Sequence, residues 1–95
     1  MSQTIPSVEV LVQMAEQQLA QYPQYRGHWN GWQRVRVTRD LKTKLGLAFR
    51  AGDVVLMNPT SIHTSPNVRG EFVMCYSFRN KVDTSIKLAD TERID

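Results

Sequence analysis

The feature that most constrains the fold is a glycine–aspartate pair followed by an unbroken apolar run near the middle of the chain. Gly52 has no Cβ and can adopt positive φ, and the Asp53 carboxylate can bond to nearby backbone, so this pair predicts a tight turn. Residues 54–57 are all apolar and predict a strand over 53–58, which stops at Asn58-Pro59. Both faces of such a strand are apolar, so each face needs a cover.

The N-terminal part of the chain predicts one amphipathic helix over residues 7–22. Apolar residues recur there at steps of three and four, the spacing of a single helical face: Val8, Leu11, Val12, Ala15, Leu19 and Tyr22. Ser7, or Thr4 one turn earlier, can accept hydrogen bonds from the first unpaired amides, and Pro23 cannot continue a helix. We expect this helix to cover the outer face of the central strand.

Residues 23–32 predict an aromatic linker. The segment has a proline, two glycines and four aromatic rings, counting the imidazole of His28. It is too irregular for a helix or a strand and too aromatic for a free tether. We expect it to lie across the domain with at least one of its two tryptophans buried.

Alternating apolar and polar residues predict three further strands, over 33–39, 71–78 and 81–88. Residues 40–52 predict a long loop held down by apolar side chains, and residues 59–70 predict an exposed loop on composition. Asn80 is the expected left-handed residue of the hairpin between the last two of these strands. Residues 89–92 then predict a single helical turn, and Arg93-Ile94 a short closing strand.

From residue 33 onward this order of elements resembles an SH3-like barrel. The features that match are the long loop before residues 49–55, the tight hairpin at Asn80-Lys81 and the turn-and-strand ending at 88–94. The resemblance covers residues 33–95, about two-thirds of the chain. It implies one mainly β domain over residues 1–95, a five-stranded SH3-like barrel capped by the N-terminal helix.

The chain departs from the peptide-binding eukaryotic SH3 domains. Those domains have an acidic, tyrosine-rich long loop and paired tryptophans, whereas the long loop here is basic and both tryptophans precede the first strand. This difference argues against recognition of proline-rich peptides. What remains is a resemblance to the broader superfamily, which includes many bacterial nucleic-acid-associated modules.

Positive charge is concentrated in one quarter of the chain. Residues 26–50 carry seven basic side chains against one acidic side chain, whereas residues 1–25 carry two acidic side chains and no Lys or Arg. The candidate nucleic-acid-binding residues are two arginines on the first strand, the cations of the following loop and two upstream rings: Arg34, Arg36, Arg39, Lys42, Lys44, Trp29 and Trp32. Cations beside exposed rings suit phosphate neutralisation and base stacking. The alternative is a solvated strand face with both tryptophans in the core.

Two other binding modes stay open. A protein-interaction or small-ligand-binding domain would use the aromatic linker and the groove between helix and barrel, with a pocket lined by Tyr25, Trp29 or Trp32. Self-association would use the N-terminal helix, where Val10 and Met14 widen the apolar stripe. The partner is therefore DNA or RNA in the leading hypothesis, and a protein, a small ligand or a second copy in the others.

The sequence predicts no enzyme, cofactor or metal site. His28 and His63 are far apart, with no second cysteine or carboxylate pair at ligand spacing. Cys75 is expected to be a small buried hydrophobe, and a single cysteine excludes an intramolecular disulfide, which favours a reducing, cytoplasmic compartment. No signal peptide or membrane-spanning run is visible, so no membrane partner is expected.

Overall fold

The computed structural model describes residues 5–94 and shows a mainly β protein with one α-helix. Helix α1 spans Val8–Gln18, and within the described range seven strands follow it: β1 (Gln33–Val37), β2 (Leu41–Thr43), β3 (Gly46–Phe49), β4 (Val54–Ser65), β5 (Val68–Ser77), β6 (Val82–Lys87) and β7 (Thr91–Arg93). Single 3-10 turns occupy Pro23–Tyr25 and Leu88–Asp90. The predicted class, mainly β with an N-terminal helix, is confirmed.

Five of the strands form one antiparallel sheet in the order β6-β5-β4-β1-β7, and β2 and β3 form a separate two-stranded hairpin. Across residues 5–94 no hydrogen-bonded ladder joins the two outer strands β6 and β7, so the sheet stays open. Strand β4 lies at the centre of the order, which is where a strand apolar on both faces belongs.

The predicted turn at Gly52-Asp53 is confirmed and is fastened to β1. Gly52 has φ of +94°, and Asp53 closes the turn by donating from its amide to the Arg50 carbonyl at 3.0 Å. The Asp53 carboxylate accepts from the Arg50 amide at 2.9 Å. Outside the turn, the Gly52 amide donates to the Val37 carbonyl at 2.7 Å and the Val37 amide donates to the Asp53 carbonyl at 2.8 Å. The turn therefore fixes where β4 begins beside β1.

The sheet has an apolar cluster on each face. The inner cluster is formed by side chains from β1, β3, β4, β5 and β6: Val35, Val37, Ala48, Phe49, Val55, Met57, Val73, Cys75 and Ile86. The outer cluster is formed by α1, the aromatic segment and the sheet: Leu11, Ala15, Leu19, Trp29, Trp32, Leu56 and Tyr76. Alternate residues of β4 enter the two clusters, and α1 contributes Leu11 and Ala15 to the outer one. The expectation that the helix covers the outer face is therefore confirmed.

The helix is shorter than its apolar pattern predicts. Ser7 caps it, because its hydroxyl accepts from the Val10 amide at 3.2 Å, whereas Thr4 lies outside the described residues. The helix ends at Gln18, and Leu19 forms its C-cap with the amide bonded to the Ala15 carbonyl at 3.2 Å. The chain then makes turns up to residue 22, so Tyr22 lies exposed rather than on the packed face.

Pro23 begins the first 3-10 turn instead of ending the helix. A proline tolerates the first position of a helical turn because its missing N–H has no partner there in any case. The turns let the chain reverse direction and lay the aromatic segment across the sheet.

The loop predicted over residues 59–70 is wrong, although most of these residues are exposed as expected. Strand β4 continues through Pro59 to Ser65, and β5 begins at Val68, so these residues form a two-stranded ribbon that extends β4 and β5. Pro59 has no amide proton, and the pairing shifts register between Asn58 and His63. The Ser61 hydroxyl spans this irregularity: it donates to the Asn58 carbonyl at 2.7 Å and accepts from the Met74 amide at 2.8 Å. A side chain thus replaces the missing ladder bonds.

The remaining differences concern loops and strand ends. The predicted loop over 40–52 contains the β2–β3 hairpin, and β1 ends at Val37 instead of residue 39. Lys81, with φ of +57°, is the left-handed residue instead of Asn80, and its amide donates to the Ser77 carbonyl at 2.7 Å. The single helical turn exists but covers Leu88–Asp90, and the closing strand covers Thr91–Arg93.

We predict that Gly52→Ala destabilises the protein by about 1–2 kcal/mol, because a Cβ is strained at positive φ. A Cβ built at Gly52 meets no atom within 4 Å, so the backbone conformation alone sets the cost. Gly52→Asn is the control, since asparagine tolerates left-handed backbone, and it should cost clearly less. Urea denaturation measures both variants. Equal stability of Gly52→Ala and the unmodified protein would show that the turn can relax.

Candidate nucleic-acid interface

Strands β2 and β3 with their flanking residues form the basic hairpin, defined as residues 39–50. Its base is the Leu41–Phe49 pair, and its apex is closed by the Thr43–Gly46 pair. Gly46 has φ of +97°, and the Thr43 hydroxyl accepts from the Leu45 amide at 3.1 Å. A two-residue turn followed by a glycine with positive φ is a common hairpin closure, and it fixes the apex residues Lys44 and Leu45.

The basic hairpin carries the whole net charge of the chain. It has four basic side chains and one acidic side chain, while the rest of the sequence has eight basic and eight acidic side chains, and the chain totals +3. The Asp40 carboxylate accepts from the Ala51 amide at 2.9 Å, which ties together the two sides of the hairpin base. Lys42, Lys44 and Arg50 are exposed.

Arg39, at the start of the hairpin, is loosely paired. Its Nη1 lies 3.9 Å from Asp90 Oδ1, and its side chain stays 70% exposed. An exposed pair at that distance contributes little to stability and leaves the guanidinium able to turn toward a phosphate. Three of the five predicted basic residues therefore belong to the basic hairpin: Arg39, Lys42 and Lys44.

The other two predicted cations, Arg34 and Arg36, lie on β1 and are half-buried. Arg34 Nη1 donates to the Pro6 carbonyl at 2.8 Å, so this guanidinium holds the segment that leads into the helix. Arg36 lies opposite Glu92 in the pairing of β1 with β7. Neither arginine has the open exposure of the hairpin lysines.

The two tryptophans belong to the core, which corrects the expectation that they offer a stacking surface. Trp29 is 0% exposed and Trp32 is 6% exposed, so neither presents a ring face to a base. Trp29 stacks on Tyr25 with ring centroids 5.9 Å apart and meets the Tyr76 ring edge-on at 5.0 Å. The expectation that at least one tryptophan is buried is confirmed, and the alternative of core tryptophans is the observed arrangement.

Asp83, whose side chain is partly buried, fastens the aromatic segment to the sheet. Its Oδ1 accepts from Trp29 Nε1 at 3.3 Å, and its Oδ2 lies 2.6 Å from His28 Nε2. Asp83 lies opposite Tyr76 in the β5–β6 pairing, which places its carboxylate beneath the aromatic segment. The sequence contains a signal for this contact, because a buried indole N–H needs a hydrogen-bond acceptor. Asp83 lies on the same sheet face as Tyr76, where it can act as that acceptor.

Two of the open depressions in the described residues adjoin α1. One, of about 570 Å³, lies along the C-terminal half of α1 and the turns that follow it, and includes Tyr25 among its lining residues, but neither tryptophan. The other, of about 480 Å³, is the helix–sheet groove, whose lining includes Leu11, Met14 and Phe78. Beside this groove, Val10 is 44% exposed and Met14 is 42% exposed, so both side chains are accessible.

No protein-family model, curated protein or solved structure matches this chain. In residues 5–94, no helix is long and apolar enough to cross a membrane. The same residues contain no group of three His, Cys, Asp or Glu side chains placed to hold a metal ion.

Two buried groups on β5 have raised pKa values. Burial, with a smaller contribution from the Asp83 carboxylate, raises the pKa of the Cys75 thiol to about 12. Burial first, then Asp83 and Tyr25, raises the pKa of the Tyr76 hydroxyl to about 12. Cys75 is fully buried, as expected, and its thiol stays protonated at neutral pH.

We predict that the free energy of unfolding falls as the pH rises from about 9 to about 12. The unfolded chain loses the Cys75 and Tyr76 protons at lower pH than the folded protein does, so rising pH favours unfolding across that window. Denaturant titrations at several pH values measure the slope. Cys75→Ala and Tyr76→Phe should each make the slope shallower. A slope that neither variant alters would assign the effect to other groups.

Proposed function

We propose that the protein is a small non-enzymatic binding module with an SH3-like barrel, and that it contacts nucleic acid through the basic hairpin. Three features of the fold support the barrel. The last strand β7 pairs with the first strand β1, a 3-10 turn precedes β7, and a hairpin is inserted between β1 and β4. The single turn and the short strand at the end of the chain are among the features on which the resemblance to SH3-like proteins rests.

The observation that carries the functional proposal is the placement of the net charge. All of the excess positive charge lies on one hairpin whose lysines are exposed. Cations that neutralise phosphates release condensed counterions, and this release supplies most of the affinity of nonspecific nucleic-acid binding. Four cations within twelve residues therefore form a compact surface for a phosphate backbone.

The strand arginines have a different role in this proposal. Arg34 fastens the segment before α1 through its bond to the Pro6 carbonyl, so it acts as scaffold. Arg36 lies opposite Glu92 in the β1–β7 pairing, and the negative charge of Glu92 offsets part of the positive potential of Arg36. The phosphate contacts are assigned to Arg39, Lys42, Lys44 and Arg50, and the tryptophans are assigned to the core.

We predict that replacing Lys42 and Lys44 together with alanine weakens binding to DNA and flattens its salt dependence. The slope of log K against log salt should decrease in magnitude by about 2, since each lysine accounts for about 0.9 of slope on duplex DNA. Fluorescence anisotropy with a labelled oligonucleotide at several salt concentrations measures this slope.

The matched control for that experiment replaces Arg69 and Lys87 with alanine. It removes the same charge from two exposed positions outside the hairpin, on β5 and β6. The control should leave the salt slope nearly unchanged. An equal loss in both double variants would mean that net charge, rather than the hairpin, determines binding. Absence of any salt-sensitive binding would remove the proposed function.

A protein-interaction role is the second candidate, and exposed apolar groups on the helix favour it. Met14 lines the helix–sheet groove, Val10 lies one helical turn before it, and each is more than two-fifths exposed. The simplest partner for this surface is a second copy of the chain. Such an interface would bury apolar side chains that are otherwise in water.

If the chain self-associates through this surface, Met14→Glu should convert a dimer into a monomer, because a carboxylate would be placed in the apolar contact. Gln13→Glu is the control, as it places an added carboxylate on the adjacent exposed helix residue. Light scattering coupled to size-exclusion chromatography measures the mass. A mass that is the same in both variants and in the unmodified protein would eliminate self-association through Met14.

A further inference from the structure

The apex of the basic hairpin displays an apolar side chain. Leu45 is 68% exposed, the largest exposed fraction of any large apolar side chain in residues 5–94. Turn apexes usually carry Gly, Asn, Asp or Ser, and here a leucine follows a lysine. The Thr43 hydroxyl bond to the Leu45 amide, together with Gly46 at positive φ, holds that leucine in place.

The dimensions of the hairpin match one groove of duplex DNA. Phe49 at its base is buried in the inner cluster and Leu41 packs against that cluster, while residues 42–46 are all exposed. Three residues of strand reach roughly 10 Å, close to the depth of the B-DNA major groove of about 8.5 Å. The major groove is about 12 Å wide and admits a two-stranded ribbon, whereas the minor groove is about 6 Å wide.

The hairpin cations are arranged to suit that position. Arg39 precedes β2 and Arg50 follows β3, and the Asp40 bond to the Ala51 amide brings these two sides together at the base. Cations at the base lie where the phosphate backbones border the groove. Lys42 and Lys44 lie nearer the apex. The apolar Leu45 side chain at the tip is then placed to contact the floor of the groove, where thymine presents its methyl group.

We infer that the basic hairpin enters the major groove of duplex DNA and that Leu45 packs against thymine C5-methyl groups there. This inference rests on the proposed function and adds a groove and a base contact to it. Phosphate contacts alone carry no sequence information, so Leu45 gives the module a preference for A·T-containing duplex.

The test compares two A·T-rich DNA duplexes of the same sequence, one with thymine and one with deoxyuridine, which lacks only the methyl group. Anisotropy titrations at fixed low salt use the unmodified protein, Leu45→Ala and, as a control, Val68→Ala, which truncates an exposed apolar residue on β5. The unmodified protein and Val68→Ala should bind the thymine duplex about fourfold more tightly for each methyl contacted. Leu45→Ala should bind both duplexes equally, with about tenfold lower affinity for the thymine duplex than the unmodified protein.

Leu45 is exposed, so its replacement should leave the thermal midpoint unchanged, and circular dichroism checks this. The inference is overturned if the unmodified protein binds thymine and uracil duplexes equally, or if Leu45→Ala keeps the preference. Equal or tighter binding to single strands or duplex RNA also overturns it, since the major groove of A-form RNA is too narrow for side chains to read. Those results leave the proposed function intact, whereas absence of all nucleic-acid binding removes both.

A last arm of the test separates nucleic acid from lipid, because a basic apex with an apolar tip can also bind anionic membranes. Vesicles of phosphatidylcholine with phosphatidylserine are sedimented with the unmodified protein and with Leu45→Ala. Leu45-dependent sedimentation without duplex binding would reassign the tip to a lipid surface and overturn the inference. Duplex binding without sedimentation is the expected result.

Discussion

The paired hydrogen bonds between Val37 and the Gly52-Asp53 turn determine where everything else lies. They join the end of β1 to the start of β4, so residues 38–51 must leave the sheet and return to it at one place. Residues 39–50 among them form the basic hairpin. The same bonds set the register in which Val35 pairs with Val55, so both valines enter the inner cluster. A change of one residue in this register would turn each core side chain of β1 to the opposite face.

Strand β4 then requires the two-layer arrangement of the protein. Val55 and Met57 enter the inner cluster, and Leu56 between them enters the outer one. Helix α1 covers only part of the outer face, and the aromatic segment covers the rest. The Asp83 carboxylate accepts a hydrogen bond from the buried indole N–H of Trp29. The aromatic residues that looked like a ligand surface are thus needed to complete the second layer.

The faces of the strands could be predicted from the sequence, whereas their ends and the ribbon could not. Period-two alternation assigned Cys75 and Tyr76 to opposite faces, because side-chain direction follows from the backbone pleat alone. The ribbon could not be predicted because a proline such as Pro59 usually interrupts a strand. The lost pairing is compensated by the Ser61 hydroxyl, which accepts from the Met74 amide on another strand. Contacts between residues so far apart in sequence leave no local pattern.

The candidate site could be predicted only in part, because contacts between distant parts of the chain leave no local pattern. The charge of Arg39, Lys42 and Lys44 is visible in composition, but the exposure of each cation depends on the fold. Arg34 and Arg36 alternate along β1 as the pattern indicates, yet only the structure shows Pro6 beside one and Glu92 beside the other. The importance of Leu45 depends on its place at an apex, and that place exists only once residues 41–49 form a hairpin.

The buried hydroxyl of Ser77 has a consequence for how the basic hairpin meets a partner. It donates to the Ala48 carbonyl at 2.8 Å and accepts from the Asn80 amide at 3.1 Å, so the returning strand β3 is tied to the end of β5. A loop that must be ordered on contact loses affinity through the entropy of its side chains and backbone. Because β3 is already anchored to the core, the hairpin is preorganised, and a partner that meets its tip encounters the whole domain as one rigid body.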